Sequence, residues 1–199
     1  MKINKEMLNR VIEYVSSAED IELSDIPCID LYMDQVTTLF DDKLANTKRL
    51  ENDKILTKTM INNYTKAKTL MPPKNKKYSK NHIILLSIIY NLKQILSIND
   101  IKALLSPLLN NQNSNISKEE LNLDDIYSIY LDIKRKDLDE LEEEYEKMLN
   151  HVIEKSSGLS IDGNDIATLI LLVFALINQA TLNKRLAEKI IDEFLITGK

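Results

Sequence analysis

The chain has 199 residues, 44% of them apolar, which is enough to bury the core of one domain or of two small ones. It contains only three glycines and four prolines, and this scarcity predicts long helices joined by polar loops, hence an all-α fold. The single cysteine, Cys28, excludes an internal disulfide, and residues 1–20 lack the apolar run of a secretory signal, so we expect a cytoplasmic protein.

Helically spaced apolar residues predict a first helix over residues 3–17, and a break follows at Ser24–Pro27. A second helix is predicted for Leu31–Leu44. A polar loop separates it from a third helix, which begins after the N-cap residue Thr57 and runs to about Lys68.

The segment Leu70–Lys77 contains two adjacent prolines and is predicted to be a basic, extended loop. Ser79 then caps a fourth helix that runs to about Leu96. This helix is apolar on most sides, so we expect it to lie at the centre of the core. A fifth helix is predicted for Ser97–Leu105, and Pro107 is expected to end or kink it.

The Asn-rich segment 110–115 is the best candidate for a boundary, because the sequence becomes strongly acidic after it. Two helices are predicted for this acidic region. The side chains expected to point inward are Leu121, Ile126, Ile129 and Ile133 on the first helix, and Leu138, Leu141, Tyr145, Met148 and Val152 on the second. An apolar helix from Ile166 to about Asn178 and an amphipathic one over Leu182–Leu195 follow.

The most apolar stretch, Ile166–Ile177, has twelve residues, which is short of the roughly 20 that span a bilayer. We therefore expect a buried core or interface helix and no membrane contact. A helix that is apolar nearly all round needs more cover than one small domain offers. We also expect a homodimer that buries part of this helix or of Leu182–Leu195.

Basic residues are concentrated in the window Lys48–Lys80. This window holds ten of the 26 basic residues and two acids, so its formal charge is +8 in a chain of net charge −5. An anionic partner explains such an imbalance best, and we expect double-stranded DNA. A lysine-rich composition that clusters without a function is the alternative.

The predicted third helix carries a polar face. Thr59, Asn62, Asn63 and Lys66 share one side of it, with Lys58 near its start. Asn can bind an adenine edge, Lys can reach guanine or phosphate, and the Thr methyl can contact thymine, so this face is typical of a recognition helix. The basic loop that follows is expected to contact phosphates. Its candidate residues are Lys74, Lys76, Lys77 and Tyr78.

Four segments resemble the N-terminal domain of mercury-resistance-type (MerR-like) regulators, which are winged helix-turn-helix DNA-binding proteins. They are Leu56–Tyr64, Leu70–Pro73, Tyr78–Ser79 and Ile98–Leu105. With Asp30–Val36 added, the chain is closer still to an uncharacterised family of Gram-positive bacterial proteins, known as a domain of unknown function.

We expect an N-terminal helix at 1–27, a winged helix-turn-helix domain over residues 28–108 and a helical C-terminal module at 109–199, and the resemblance covers about residues 55–105 of this chain. It implies DNA binding and transcriptional regulation, and a two-fold dimer would pair two recognition helices across a palindromic site. The chain departs from the family in several respects, among them a wing that is several residues shorter. Thr69 stands where those proteins have glycine, and lysines replace the arginines of the wing. The alternative is a protein-interaction adaptor that has lost DNA readout and whose acidic helices bind a basic partner, or the basic patch of another copy of the chain.

Other chemistry is not favoured. His82 and His151 are the only histidines, lie far apart and have no cysteine neighbours, so we expect no metal site. The four glutamates between positions 142 and 146 point to different sides of a helix and do not converge. The sequence has no glycine-rich phosphate loop, and we expect neither a cofactor nor enzymatic activity.

Overall fold

The computed structural model of the protein describes residues 5–110, 122–159 and 165–196. It is mostly helical, with 72% of residues in helices and two short strands, which confirms the all-α expectation. The chain divides into two compact units. The large unit comprises Glu19–Asp132 and Glu188–Lys199, and the small unit comprises Met1–Ala18 and Ile133–Ala187. The expected domain boundaries after residues 27 and 108 stay a prediction.

The helices and strands follow one another along the chain with these bounds: α1 Lys5–Ser16, β1 Leu31–Tyr32, α2 Met33–Lys43, α3 Lys58–Lys66, β2 Lys77–Tyr78, α4 Lys80–Leu92, α5 Ile98–Asn110, α6 Leu123–Ser156 and α7 Ile166–Ile190. A π-helical turn, Ile191–Leu195, continues α7 directly. The two strands pair antiparallel, with Leu31 opposite Tyr78 and Tyr32 opposite Lys77.

Helix α4 forms the centre of the large unit, as its composition predicts. Every residue from His82 to Tyr90 is buried. Side chains of other elements surround it, among them Phe40, Ile61 and Tyr127. The hydroxyl of Tyr127 donates a 2.6 Å hydrogen bond to the carbonyl oxygen of Ile21, and burial raises the pKa of this phenol. This bond satisfies a polar group that would otherwise be costly in the core.

Helix α5 continues through Pro107 to Asn110, so the expected end at this proline was wrong, while the alternative of a kink stays a prediction. Proline lacks the N–H that would bond to the carbonyl oxygen of Ala103. The hydroxyl of Ser106 donates to that same oxygen at 3.0 Å. The lost backbone hydrogen bond is therefore replaced by a neighbouring side chain.

Helix α6 is a single helix of 34 residues, where two helices were expected. It contains neither glycine nor proline, and pairs such as Glu143–Lys147 at 2.6 Å support its exposed side. Leu123, Tyr127 and Leu131 are its buried residues in the large unit. The inward positions were wrong for Ile129 and Ile133, which are exposed, and Leu121 lies outside the described residues.

Helix α7 also runs without the expected break between residues 178 and 182. No glycine or proline interrupts it, so nothing in the sequence forces an end. With its π-helical turn it is long and apolar enough to cross a membrane, a test that core helices of soluble proteins also pass. Those core helices are mostly buried, whereas the most apolar stretch of this one is only 11% buried.

The small unit is held by a small core. Its described buried apolar side chains are Leu149, Val152 and Leu172, with Leu8 of α1 packed against them. The hydroxyls of Ser156 and Thr168 share a buried hydrogen bond of 2.7 Å, which joins α6 to α7.

Candidate nucleic-acid interface

Helix α3 presents the polar face that its sequence predicts. Thr57 is the N-cap, and its hydroxyl oxygen accepts a hydrogen bond from the Met60 N–H at 3.1 Å. Ile61 and Tyr64 anchor the opposite side in the core. The outward side chains are all exposed: Lys58, Thr59, Asn62, Asn63 and Lys66. The structure therefore brings these five expected site residues together on one accessible face.

The C-terminus of α3 ends in a left-handed residue, Lys68, with φ of 61°. The N–H of Thr69 reaches back to the carbonyl oxygen of Tyr64 at 3.0 Å, and the Thr69 hydroxyl donates to that oxygen at the same distance. This arrangement is a Schellman-type cap, in which glycine is the favoured left-handed residue. Here the position is occupied by an exposed lysine. The left-handed residue is thus Lys68, so threonine at position 69 causes no backbone strain.

The basic loop after α3 is a tight hairpin over Lys74–Lys77. The N–H of Lys77 donates to the Lys74 carbonyl at 2.9 Å, and the N–H of Lys74 donates back at 3.1 Å. The two residues between them, Asn75 and Lys76, have φ values of 52° and 64°. Two positive φ angles at the centre of a two-residue loop are characteristic of a type I′ turn. This turn leaves Lys74 and Lys76 exposed at the tip.

Two contacts place the hairpin and the start of α3 along one edge of the large unit. The Nζ of Lys77 lies 5.2 Å from the centroid of the Tyr32 ring. Lys58, the first residue of α3, forms an ion pair with Asp34 in the first turn of α2. Tyr32 and Asp34 are separated by one residue, so both lysines lie at the start of α2.

Tyr78 does not lie on the exposed surface, and its expected contact with DNA stays a prediction. It is 2% exposed and lies edge-on to the ring of His82, with 5.4 Å between the centroids. The Nδ1 of His82 accepts from the Ser79 N–H at 3.1 Å, and its Nε2 lies 3.4 Å from the Pro72 carbonyl oxygen. These contacts fix the base of the hairpin to α4, and burial lowers the pKa of His82.

Lys93 is a residue that sequence reasoning missed. Its Nζ donates to the Ile55 carbonyl oxygen at 2.7 Å and lies 4.6 Å from the centroid of the Tyr90 ring. Desolvation lowers the pKa of this half-buried lysine. It holds the loop that leads into α3. A lysine after an apolar helix gives no signal of such a role, because its partner Ile55 is distant in the sequence.

Acids from other parts of the large unit offset some charge of the basic window. Lys48 lies 3.5 Å from Asp41, Lys80 lies 2.6 Å from Asp124, and Lys58 pairs with Asp34 as described. No carboxylate of the described residues forms such a pair with Lys68 at the end of α3 or with Lys74 and Lys76 of the hairpin. Among the residues that the structure describes, no three His, Cys, Asp or Glu side chains are grouped to hold a metal ion.

The sequence model of a domain of unknown function (DUF1836) matches residues 21–130, more than half of the chain. The chain belongs to the DUF1836 family. This confirms the expected membership in a family without a known activity. The DUF1836 match extends from the segment before β1 to the first part of α6, and so includes α3 and the hairpin. No curated protein and no solved structure matches the chain.

Proposed function

We propose that this DUF1836 protein is a DNA-binding transcriptional regulator that uses a MerR-like winged helix-turn-helix. In this proposal α2 and α3 are the helix-turn-helix pair, α3 is the recognition helix and the Lys74–Lys77 hairpin is the wing. The segment between the helices, residues 44–57, is longer than the usual three- to four-residue turn. Buried Ile55 and Leu56, and the hydrogen bond from Lys93 to Ile55, support that longer connection.

The observation that carries the proposal is the placement of α3 and the hairpin at the same edge. Lys58 and Lys77 contact Asp34 and Tyr32, which are two residues apart at the start of α2. A helix in the major groove and a hairpin beside it need this proximity, because the two elements contact the groove and its flanking phosphates at the same time. The outward Asn62 and Asn63 then lie where base edges would be.

The backbone at two lysines gives independent support. Lys68 and Lys76 are both left-handed, a conformation that costs an L-residue roughly 1–2 kcal/mol and that glycine adopts freely. Strain of this kind is concentrated at functional sites. A positive charge that contacts phosphate at each turn explains why lysine stands where glycine would be more stable.

A second function, the protein-interaction adaptor, is favoured by one observation. Asp34 is an exposed acid in the first turn of α2, and it neutralises Lys58 at the start of the proposed recognition helix α3. A carboxylate there repels phosphate and suits a basic protein partner instead.

The proposal of DNA binding includes a cytoplasmic location, where the chromosome of a bacterial cell is accessible.

The two functions are separated by mutating the asparagines. Fragments of the host genome that bind the protein are first selected, and the affinities for the preferred site and for random DNA are then measured. Asn62→Ala and Asn63→Ala should each cost about 1–3 kcal/mol on the preferred site and little on random DNA.

The matched control is Asn150→Ala, which removes an exposed asparagine from α6 of the small unit. Alanine is the better helix former at all three positions, so helix content should not fall. Selection of no preferred site, or unchanged affinity in both α3 variants, would leave the adaptor as the better interpretation.

A further inference from the structure

The connection between α2 and α3, residues 44–57, is held near both of its ends by the C-terminal end of α4. Near its start, the hydroxyls of Thr47 and Tyr90 share a hydrogen bond of 2.6 Å. Near its end, the Nζ of Lys93 donates to the Ile55 carbonyl oxygen at 2.7 Å. The same Nζ lies 4.6 Å from the centroid of the Tyr90 ring, so the two anchors contact each other. Tyr90 and Lys93 together form what we call the connection clamp.

The middle of this connection lies on the surface, where every residue from Arg49 to Lys54 is exposed. Its turn is local, since the N–H of Leu50 donates to the Asp53 carboxylate at 2.9 Å and the N–H of Asp53 donates back to the Leu50 carbonyl oxygen. In a helix-turn-helix with a turn of three or four residues, the short turn itself restricts the angle between the helices. A longer connection does not, so the orientation of α3 depends on tertiary contacts.

Lys93 also reaches the first turn of α3. Its Nζ lies 3.9 Å from the Sδ of Met60, whose N–H donates to the N-cap hydroxyl of Thr57. Buried Ile61 and Tyr64 hold the side of α3 that faces the core, whereas Lys93 contacts its N-terminal turn. The N-terminal residues of a recognition helix are the ones that contact base edges. The clamp therefore acts on the part of α3 where its placement matters most for readout.

The ammonium of Lys93 supplies a directional restraint. A hydrogen bond with a charged donor is shorter and stronger than a neutral one, and its geometry is fixed by the acceptor. Lys93 is also the C-cap residue of α4, where the helix dipole favours a positive charge. Apolar contacts are non-directional, so they alone would let the connection shift along the core.

We infer that the connection clamp positions the first turn of α3, with Lys93 as its main positioning residue, and that discrimination between DNA sequences depends on it. This inference rests on the proposed function. The ammonium of Lys93 contacts a carbonyl oxygen, a ring and a thioether of the protein, so it acts through α3 and not on a phosphate. Loss of the clamp should lower the affinity for a preferred site more than that for random DNA, with the salt dependence unchanged.

The test compares Lys93→Met with Tyr127→Phe in the full chain. Tyr127→Phe is the matched control, because it removes another buried hydrogen bond of the large unit, the one to the Ile21 carbonyl oxygen. Lys93→Met should weaken binding to the selected genomic site about tenfold, roughly the loss of one base contact, and change the affinity for random duplex DNA less than about twofold.

Fluorescence anisotropy with the two duplexes measures the ratio of affinities, which Tyr127→Phe should leave at the wild-type value. An unchanged ratio in Lys93→Met, or an equal loss in both variants, overturns the inference. If Lys93→Met does not fold, Tyr90→Phe decides, because it removes only the hydroxyl that bonds to Thr47. It should lower the ratio about threefold, the effect of one neutral hydrogen bond, and an unchanged ratio contradicts the clamp.

Amide hydrogen exchange, followed by NMR, tests the positioning without DNA. The amides of Met60 and Ile61 bond to Thr57 at the start of α3, and they should exchange faster in the clamp variant than in the wild type or in Tyr127→Phe. Equal exchange in all of them overturns the inference. If the wild type selects no preferred site, the proposed function fails, and the exchange rates alone then decide whether the clamp positions α3.

Discussion

Lys77 and Tyr32 lie opposite each other in the pairing of β1 with β2, and the lysine Nζ is 5.2 Å from the centroid of the tyrosine ring. A cation–π contact of this kind contributes about 0.5–1 kcal/mol at an exposed site. It ties one arm of the hairpin to the start of α2. Lys77 therefore has a structural role in addition to any contact with DNA, whereas Lys74 and Lys76 extend from the tip.

We predict that Lys74→Gln with Lys76→Gln weakens DNA binding mainly through its salt dependence. Each lysine that contacts a phosphate contributes about −0.9 to the slope of log K against log salt, so the double variant should flatten the slope by roughly 2 per subunit. Glutamine and lysine carry the same penalty in the left-handed conformation of residue 76, so the stability of the turn should not change. Fluorescence anisotropy with random duplex DNA, at several salt concentrations, measures the slope.

The control for the tip variant removes the same charge elsewhere. Lys136→Gln with Lys147→Gln neutralises two exposed lysines of α6 in the small unit. This pair should leave the slope unchanged. Equal flattening in both double variants would mean that net charge, and not the hairpin, determines the salt dependence.

Asp34→Asn should tighten DNA binding. The substitution removes an exposed carboxylate and releases Lys58 from its ion pair, which as a surface pair contributes little to stability. A unit charge about 4 Å from a phosphate is worth roughly 1 kcal/mol in water, so we expect about a fivefold gain in affinity.

Asp42→Asn makes the same change in net charge at an exposed position near the end of α2. It should have a smaller effect than Asp34→Asn in the same titration. Unchanged or weaker binding by Asp34→Asn would show that Lys58 does not face the phosphates, and would favour the adaptor.

Helix α3 shows which features could be predicted from the sequence. The N-cap at Thr57 and the outward face with Asn62 and Asn63 follow from interactions within a few residues, and both are present in the structure. The central position of α4 could also be predicted from its own sequence, because its side chains are apolar on most sides. The DNA-binding role of that face stays a prediction.

Other features depend on contacts between distant residues. Lys93 bonds to a carbonyl 38 residues away, and the pairing of Tyr32 with Lys77 depends on how the chain folds back. The expected breaks within α6 and α7 were wrong, because neither helix contains a glycine or proline that would force an end. The expected helix end at Pro107 was wrong for a local reason: the Ser106 hydroxyl bonds to the carbonyl oxygen that proline leaves without a backbone partner.

Replacing Lys68 by glycine separates backbone strain from charge. Lys68→Gly removes the left-handed penalty and should raise the free energy of unfolding by about 1 kcal/mol, less the entropy that glycine adds to the unfolded chain. The same variant should weaken DNA binding, because a phosphate contact is lost. Urea unfolding and anisotropy measure the two effects.

Lys54→Gly provides the comparison for Lys68→Gly. Lys54 is an exposed loop residue whose φ is not positive, so glycine there should bring no gain in stability. A loss of stability in Lys68→Gly would contradict the cap geometry. A gain in stability with unchanged DNA affinity would exclude Lys68 from the interface while leaving the cap as described.

His82 should make the stability of the large unit depend on pH. Its pKa is lowered below the ordinary value of 6.5, first by desolvation, although the Pro72 carbonyl and the Asp30 carboxylate act in the opposite direction. The unfolded chain then binds more protons than the folded chain as the pH falls through 6.5. The free energy of unfolding should therefore be highest above pH 6.5 and decrease as the pH falls toward the lower folded pKa.

The contacts of His82 also show why protonation of its ring destabilises the fold. The Nδ1 of His82 accepts from the Ser79 N–H at 3.1 Å, so protonation of Nδ1 places two hydrogens against each other at the start of α4. His82→Gln removes the titrating group and should flatten the dependence between pH 5 and 7.5 in urea unfolding. A pH dependence that is kept in His82→Gln would contradict this assignment and leave the hairpin base insensitive to pH.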